Sequence, residues 1–131
     1  MQPTDASQKA ISAAVEVVDR QLSALNEQNT FELAATMHFP HFRLVGTNLK
    51  VWETAGLYFD DFRARARESW AYTKLASITP ISATANKIHL DIRVNRFDTR
   101  DQLIADFESI WVITKINRVW AAQLRSSFAP A

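Results

Sequence analysis

The chain holds no cysteine, two glycines and four prolines. It has no apolar run near the roughly 18 residues that a membrane span requires. Each shortage closes off a class of function. Without cysteine there is no disulfide, no thiol nucleophile and no thiolate metal site. Gly46 and Gly56 alone cannot build the glycine-rich loops that cradle phosphates or dinucleotides. Positive and negative side chains nearly cancel, 15 against 14, so the net charge of +1 supplies no long-range field toward nucleic acid or an anionic membrane. The start, Met1-Gln2-Pro3-Thr4-Asp5, shows neither the basic nor the oily stretch of a signal peptide. The expectation is a cytoplasmic protein with no membrane or nucleic-acid partner, no metal and no cofactor.

What is present is an ordinary globular composition. At 131 residues, 47% hydrophobic and 22% charged, the chain makes one domain, 1–131, long enough to bury a real core. Its most informative stretch runs from Asn86 to Phe128, where apolar residues recur at every second position in three long segments. Ile88, Leu90, Ile92 and Val94 mark the first, Phe107, Trp111 and Ile113 the second, and Trp120, Ala122, Leu124 and Phe128 the third. Period two is the signature of a strand with one oily face. A polar loop at Asp98–Gln102 and a tight turn at Asn117-Arg118 join the segments, asparagine tolerating the positive φ that the turn needs.

The first half reads as helical. Ile11, Ala14, Val15, Val18, Leu22 and Leu25 recur on one stripe of a helix from about Asp5 to Gln28, with Asp5 and Gln8 as a capping box. Asn29 and Glu32 repeat that cap before a short second helix that Pro40 ends. His41 to Val45 and Leu49 to Trp52 read as a small hairpin around Gly46-Thr47-Asn48. Thr54 caps a third helix reaching about Glu68, with Leu57, Tyr58, Phe62 and Ala66 facing inward and acidic residues preceding basic ones, as the helix dipole favours. Trp70 to Ala83 reads as a strand bent near Pro80. Only the earlier helices are placed to cover the oily sheet face, so the fold class is α+β.

Several side chains carry candidate chemistry. His38 and His41 have the residue type of a general base, but Pro40 between them breaks the helical geometry that a metal pair requires. Ser109 interrupts the apolar face beside Phe107 and Trp111, and Ser126 lies between Leu124 and Phe128. A covered hydroxyl needs a partner, which a neighbouring backbone group, a water or a ligand can supply. Trp52, Tyr58, Phe62 and Trp111 are candidates to line an oily pocket, or else plain core. His89, Asp91, Arg93, Asp106, Glu108, Gln123 and Arg125 share the opposite face with Ile110, Val112 and Val119, a mixture suited to a second copy of the chain. The arginines of Arg63-Ala64-Arg65-Ala66-Arg67 spread around a helix and are offset by Asp60, Asp61 and Glu68, which disfavours nucleic acid.

The order helix, helix, short hairpin, helix, long strands resembles the nuclear transport factor two-like superfamily over almost the whole chain. Its most specific part is Ser109-Ile110-Trp111-Val112-Ile113-Thr114-Lys115-Ile116-Asn117-Arg118-Val119-Trp120. His38-Phe39-Pro40-His41 and Arg125-Ser126-Ser127-Phe128 are similar to uncharacterised bacterial members of its SnoaL-like branch. The resemblance implies a cone-shaped roll, with three helices in the N-terminal half packed on a strongly curved, mainly antiparallel sheet around a cavity. It also implies a homodimer through the sheet. The superfamily includes isomerases, dehydratases, cyclases and non-catalytic binding modules, so fold alone does not select a reaction. The catalytic Asp of its best-known members has His41 and Arg43 in its region here. The readings are therefore three. The first is a domain binding an apolar or amphipathic small molecule through Trp52, Tyr58, Phe62, Ser109, Trp111 and Ser126. The second is a cofactor-free acid–base enzyme, with His41 as base or acid and Arg43 or Arg125 stabilising negative charge. The third is a protein-interaction module. A cavity with an ionisable base would favour the second, and a cavity without one the first.

Overall fold

The computed structural model describes residues 5–65 and 70–129. Helix α1 (Asp5–Glu27) is followed by α2 (Thr30–Ala35), strands β1 (Met37–Val45) and β2 (Asn48–Trp52), and helix α3 (Ala55–Arg65). Strands β3 (Trp70–Ala83), β4 (Lys87–Asp98), β5 (Leu103–Ile116) and β6 (Val119–Ser127) complete the chain. The helices pack on one curved six-stranded sheet of order β2-β1-β6-β5-β4-β3. Every neighbouring pair is antiparallel except β1 with β6. This is the expected α+β roll.

Local chemistry explains the element boundaries. Helix α1 buries Ala10, Ala14, Val17, Val18 and Leu22. It ends at Gln28, whose φ of 53° lies in the left-handed region. There Asn29 N–H donates to the Ala24 carbonyl at 2.9 Å and Gln28 N–H to Leu25 at 3.1 Å, the paired closure of a Schellman motif. Asn29 then caps α2, its side chain accepting from Glu32 N–H at 3.1 Å. The expected capping box at Asp5 involves a side chain outside the described set. Helix α2 stops at Ala35, before Pro40, which corrects the boundary read from the sequence. The Thr36 hydroxyl closes the helix on the Leu33 carbonyl at 2.7 Å, and the Thr36 carbonyl accepts Ala122 N–H at 2.8 Å. The chain thus joins the sheet early. Pro40 sits inside β1, in the stretch between Met37 and Phe42 where pairing with β6 is interrupted, so its missing N–H breaks no ladder bond.

Helix α3 begins at the Thr54 hydroxyl, which accepts from Leu57 N–H at 3.3 Å. Tyr58 and Phe62, four apart, define its inward stripe and are buried, which leaves Leu57 to one side and 53% exposed rather than inward. Ala66, Arg67 and Glu68, assigned to this helix from sequence, lie outside the described residues, as do the side chains of Arg63 and Arg65. Strand β3 is an edge strand, and its pairing shifts between Pro80 and Ser82, the expected bend. Asn117 and Arg118, with φ of 51° and 67°, make the two-residue turn between β5 and β6 without glycine.

Two apolar clusters result. The larger fills the space between α1 and the sheet with Ile88, Leu90, Ile92 and Ile113, all at 0% exposure, and Val94, Phe107 and Trp111 beside them. The smaller gathers Leu33, Met37, Trp52, Tyr58 and Phe62 near the β1–β2 hairpin. Asn26, near the end of α1, pins the helix to β3: its amide donates to the Thr73 carbonyl at 2.8 Å, and its side-chain oxygen accepts from Thr73 N–H at 2.7 Å. No described helix is long and apolar enough to cross a membrane.

Urea unfolding checks this packing. Leu90→Ala leaves a cavity in the larger cluster and is expected to lower stability by about 2–5 kcal/mol. Asn26→Ala strands two backbone groups of β3 and is expected to cost about 1–3 kcal/mol.

Candidate functional site

The site begins with one extra residue in β6. Ser109 pairs with Ser127, Trp111 with Arg125 and Val112 with Leu124, but Ile113 pairs with Ala122. Gln123 is thus a β-bulge, and past it every side chain changes face. Uninterrupted alternation predicts Leu124, Ser126 and Phe128 on the covered face and Arg125 on the other. The structure reverses this: Leu124 is 36% and Phe128 69% exposed, Ser127 is buried, and Arg125 turns inward. Ser126 pairs with Ile110 on the outer face, away from any covered pocket.

The bulge also explains His41. Gln123 turns its amide to the Pro40 carbonyl at 2.8 Å. The Ala122 carbonyl meets His41 Nδ1 at 3.0 Å. A carbonyl only accepts, so Nδ1 carries the proton and Nε2 is bare. Nε2 is buried and has no hydrogen-bond partner among the described residues. The ring is fully buried against Trp52 and edge-on to Tyr58. Burial first, then the charges of Arg125 and Arg43, push its pKa down to about 3. His38 is a carbonyl ligand instead, its Nε2 lying 3.0 Å from both Thr114 O and Val119 O.

Between the last turns of α1 and the sheet lies a cavity of about 40 Å³. Leu22 and Leu25 of α1 form one side. The inner face of the sheet forms the other and is mixed: Val94, Phe107 and Trp111 lie among three arginines from three strands, Arg43 on β1, Arg96 on β4 and Arg125 on β6, with Thr73, Ser109 and Ser127. Aromatic faces hold two of them: the Arg96 guanidinium is 4.6 Å from the Phe107 ring centre and Arg125 is 5.2 Å from that of Trp111. Ser109 and Ser127 hydroxyls share a hydrogen bond of 3.2 Å, and Ala129 N–H donates to Ser127 Oγ at 3.1 Å.

Of the residues singled out from sequence as a candidate site, the structure brings Arg43, Arg125, Ser109 and Trp111 together at this cavity. Trp52, Tyr58 and Phe62 lie instead in the smaller core cluster, where Trp52 and Tyr58 pack with His41 at ring distances of 5.0–6.2 Å. The cavity accordingly carries three arginines where an oily pocket is expected. Arg96 continues the inward phase of Ile88 to Val94, so its place was available from the alternation. Thr73 and Ser127 carried no such signal. Among the described residues no cluster of His, Asp or Glu is arranged to hold a metal ion.

No protein-family profile matches the sequence, and no curated protein matches it by sequence. Solved structures match it in shape. A protein of unknown function with a cystatin-like fold from Nostoc punctiforme has a TM-score of 0.78 at 12% identity, covering 99% of this chain and 96% of its own. An NTF2-like protein of unknown function from Shewanella oneidensis has 0.76 at 9% identity, over 91% of this chain and 98% of its own. A provisionally named dehydratase of the NTF2-like family from Streptomyces avermitilis has 0.74 at 9%, over 95% and 98%. At these identities the likeness shows the fold, which is NTF2-like, as the helix-first order and the Ser109–Trp120 ending suggest.

The buried neutral His41 predicts a pH dependence. The folded chain keeps it unprotonated down to about pH 3, while the unfolded chain protonates it near 6.5. The unfolded state binds the extra proton between those values, so stability falls as pH drops below 6.5, by about 1.4 kcal/mol per unit. Above 6.5 this group adds no slope. Urea midpoints measured from pH 7.5 to 4.5 should therefore fall more steeply for the parent chain than for His41→Asn; parallel slopes contradict the assignment.

Proposed function

We propose that this NTF2-like domain binds a small amphipathic molecule in the cavity between α1 and the inner face of the sheet. The observation that carries the reading is the mixed lining of one covered space: Leu22 and Leu25 of α1 lie against a sheet surface where Trp111 and Phe107 sit beside Arg43, Arg125 and the serine pair. Ligand sites have this character, a mostly apolar wall with a few polar groups that fix orientation. Drug-sized ligands occupy roughly 300–1,000 Å³. A cavity of about 40 Å³ suits a few non-hydrogen atoms.

Binding without catalysis fits the lining better than acid–base chemistry. Among the described residues that form the cavity there is no His, Asp or Glu, and an arginine does not give up its proton in a protein. His41 lies outside the lining, with one nitrogen committed to Ala122. A proton-transfer role would need the base to be both reachable and basic near neutrality.

Pairing of two copies through the sheet belongs to the same proposal. The outer face exposes Ile110, Val119 and Leu124, with the Arg93–Glu108 ion pair at 3.5 Å beside them. Apolar side chains set among charges suit a protein contact.

Fragment titration followed in ¹H–¹⁵N spectra tests the site. Shifts should centre on Leu22, Thr73, Ser109 and Trp111; shifts confined to the outer face contradict the reading. Sedimentation tests the pairing, with a dimer expected for the parent chain and a monomer for Ile110→Glu.

A further inference from the structure

We infer that the ligand is a small organic carboxylate, its head held by Arg125, Arg43 and the Ser109–Ser127 pair and its body lying against Trp111 and Leu22. This rests on the cavity being the ligand site and adds the chemical class. The polar side chains of the lining offer donors. Arg125 Nε is buried and has no hydrogen-bond partner among the described residues. The serine pair holds two hydroxyl hydrogens and uses one between its own oxygens, at 3.2 Å; Ala129 N–H occupies a further acceptor position on Ser127. Whichever way the pair is turned, one O–H is left to donate. Thr73 repeats the pattern, since its Oγ1 accepts from Trp70 Nε1 at 2.8 Å and keeps its own hydrogen. A lining of this kind is complemented by a group that only accepts.

Charge points the same way. Arg43 is 8% exposed, and the guanidiniums of Arg96 and Arg125 share the cavity with it. Converging cations raise the local potential for an anion, and low surrounding polarity strengthens the attraction. The number of oxygens chooses a carboxylate over inorganic phosphate. A carboxylate has two oxygens to satisfy and carries an apolar body suited to Leu22, Leu25 and Phe107, whereas phosphate presents four oxygens to a lining in which those side chains offer no donor.

Calorimetric titration with acetate, propionate and butyrate, beside propionamide and inorganic phosphate, tests this, with Arg125 Nε–H followed by NMR. Propionate is expected to shift the Arg125 Nε–H resonance and to bind roughly tenfold or more tighter than propionamide. Arg125→Met should weaken propionate by a similar factor. If that variant does not fold, Arg125→Lys carries the test: it keeps the charge but loses the fork, and weaker propionate binding is expected. Propionamide binding as well as propionate, with Trp111 and Ser109 resonances shifting, overturns the carboxylate class while leaving the cavity as the site. Phosphate binding more tightly than propionate does the same. If no probe moves cavity resonances, the site reading fails and the proposal with it.

Discussion

A strand keeps its faces only while its pairing register holds, and in this protein one inserted residue decides what the interior contains. Before Gln123, β6 sends Ala122 into the core at 0% exposure. After it, Arg125 and Ser127 take the inward positions and Leu124 is turned out. Without the insertion the covered face would present Leu124, Ser126 and Phe128, an oily continuation of the core. With it, the same face presents a guanidinium and a hydroxyl. The bulge therefore separates a packed interior from one that contains a polar recess.

The polar recess is possible because its members are supported locally. Arg125 lies on the Trp111 ring and Arg96 on the Phe107 ring. Thr73 is tied to α1 through Asn26, and His41 fills the Ala122 carbonyl beside the bulge. The price of these arrangements is visible in His41, which is held neutral by burial and by the neighbouring arginine charges. A histidine in that setting props the strand that carries Arg43. It does not face the space that the arginines enclose.

Much of the fold was legible because its signals are local. Ile88 to Val94 alternates without interruption and lies on the covered face as read. The Asn29–Glu32 cap and the Asn117-Arg118 turn were recognisable from a few residues each. The boundary of α2 was not, because Pro40 looked like a stop while the actual closure depends on Thr36 meeting Ala122, eighty-six residues away in sequence. The site was half legible for the same reason. Ser109 and Trp111 follow from the phase of β5, and Arg43 from the early strand. Gln123 carries no compositional mark of a bulge, so Arg125 was assigned to the wrong face and Ser126 stood where Ser127 belongs. Trp52, Tyr58 and Phe62 have the composition of a pocket wall, but composition cannot distinguish a wall from a second core cluster.

The phase of β6 past Gln123 is open to direct measurement because the chain has no cysteine of its own. Single substitutions Leu124→Cys, Arg125→Cys, Ser126→Cys and Ser127→Cys can each be reacted with a maleimide in the native state, at dilution. Fast labelling is expected at 124 and 126 and slow labelling at 125 and 127. Fast labelling at 125 and 127 with protection at 124 and 126 would mean that the alternation runs unbroken through Gln123, and would contradict the arginine-lined cavity.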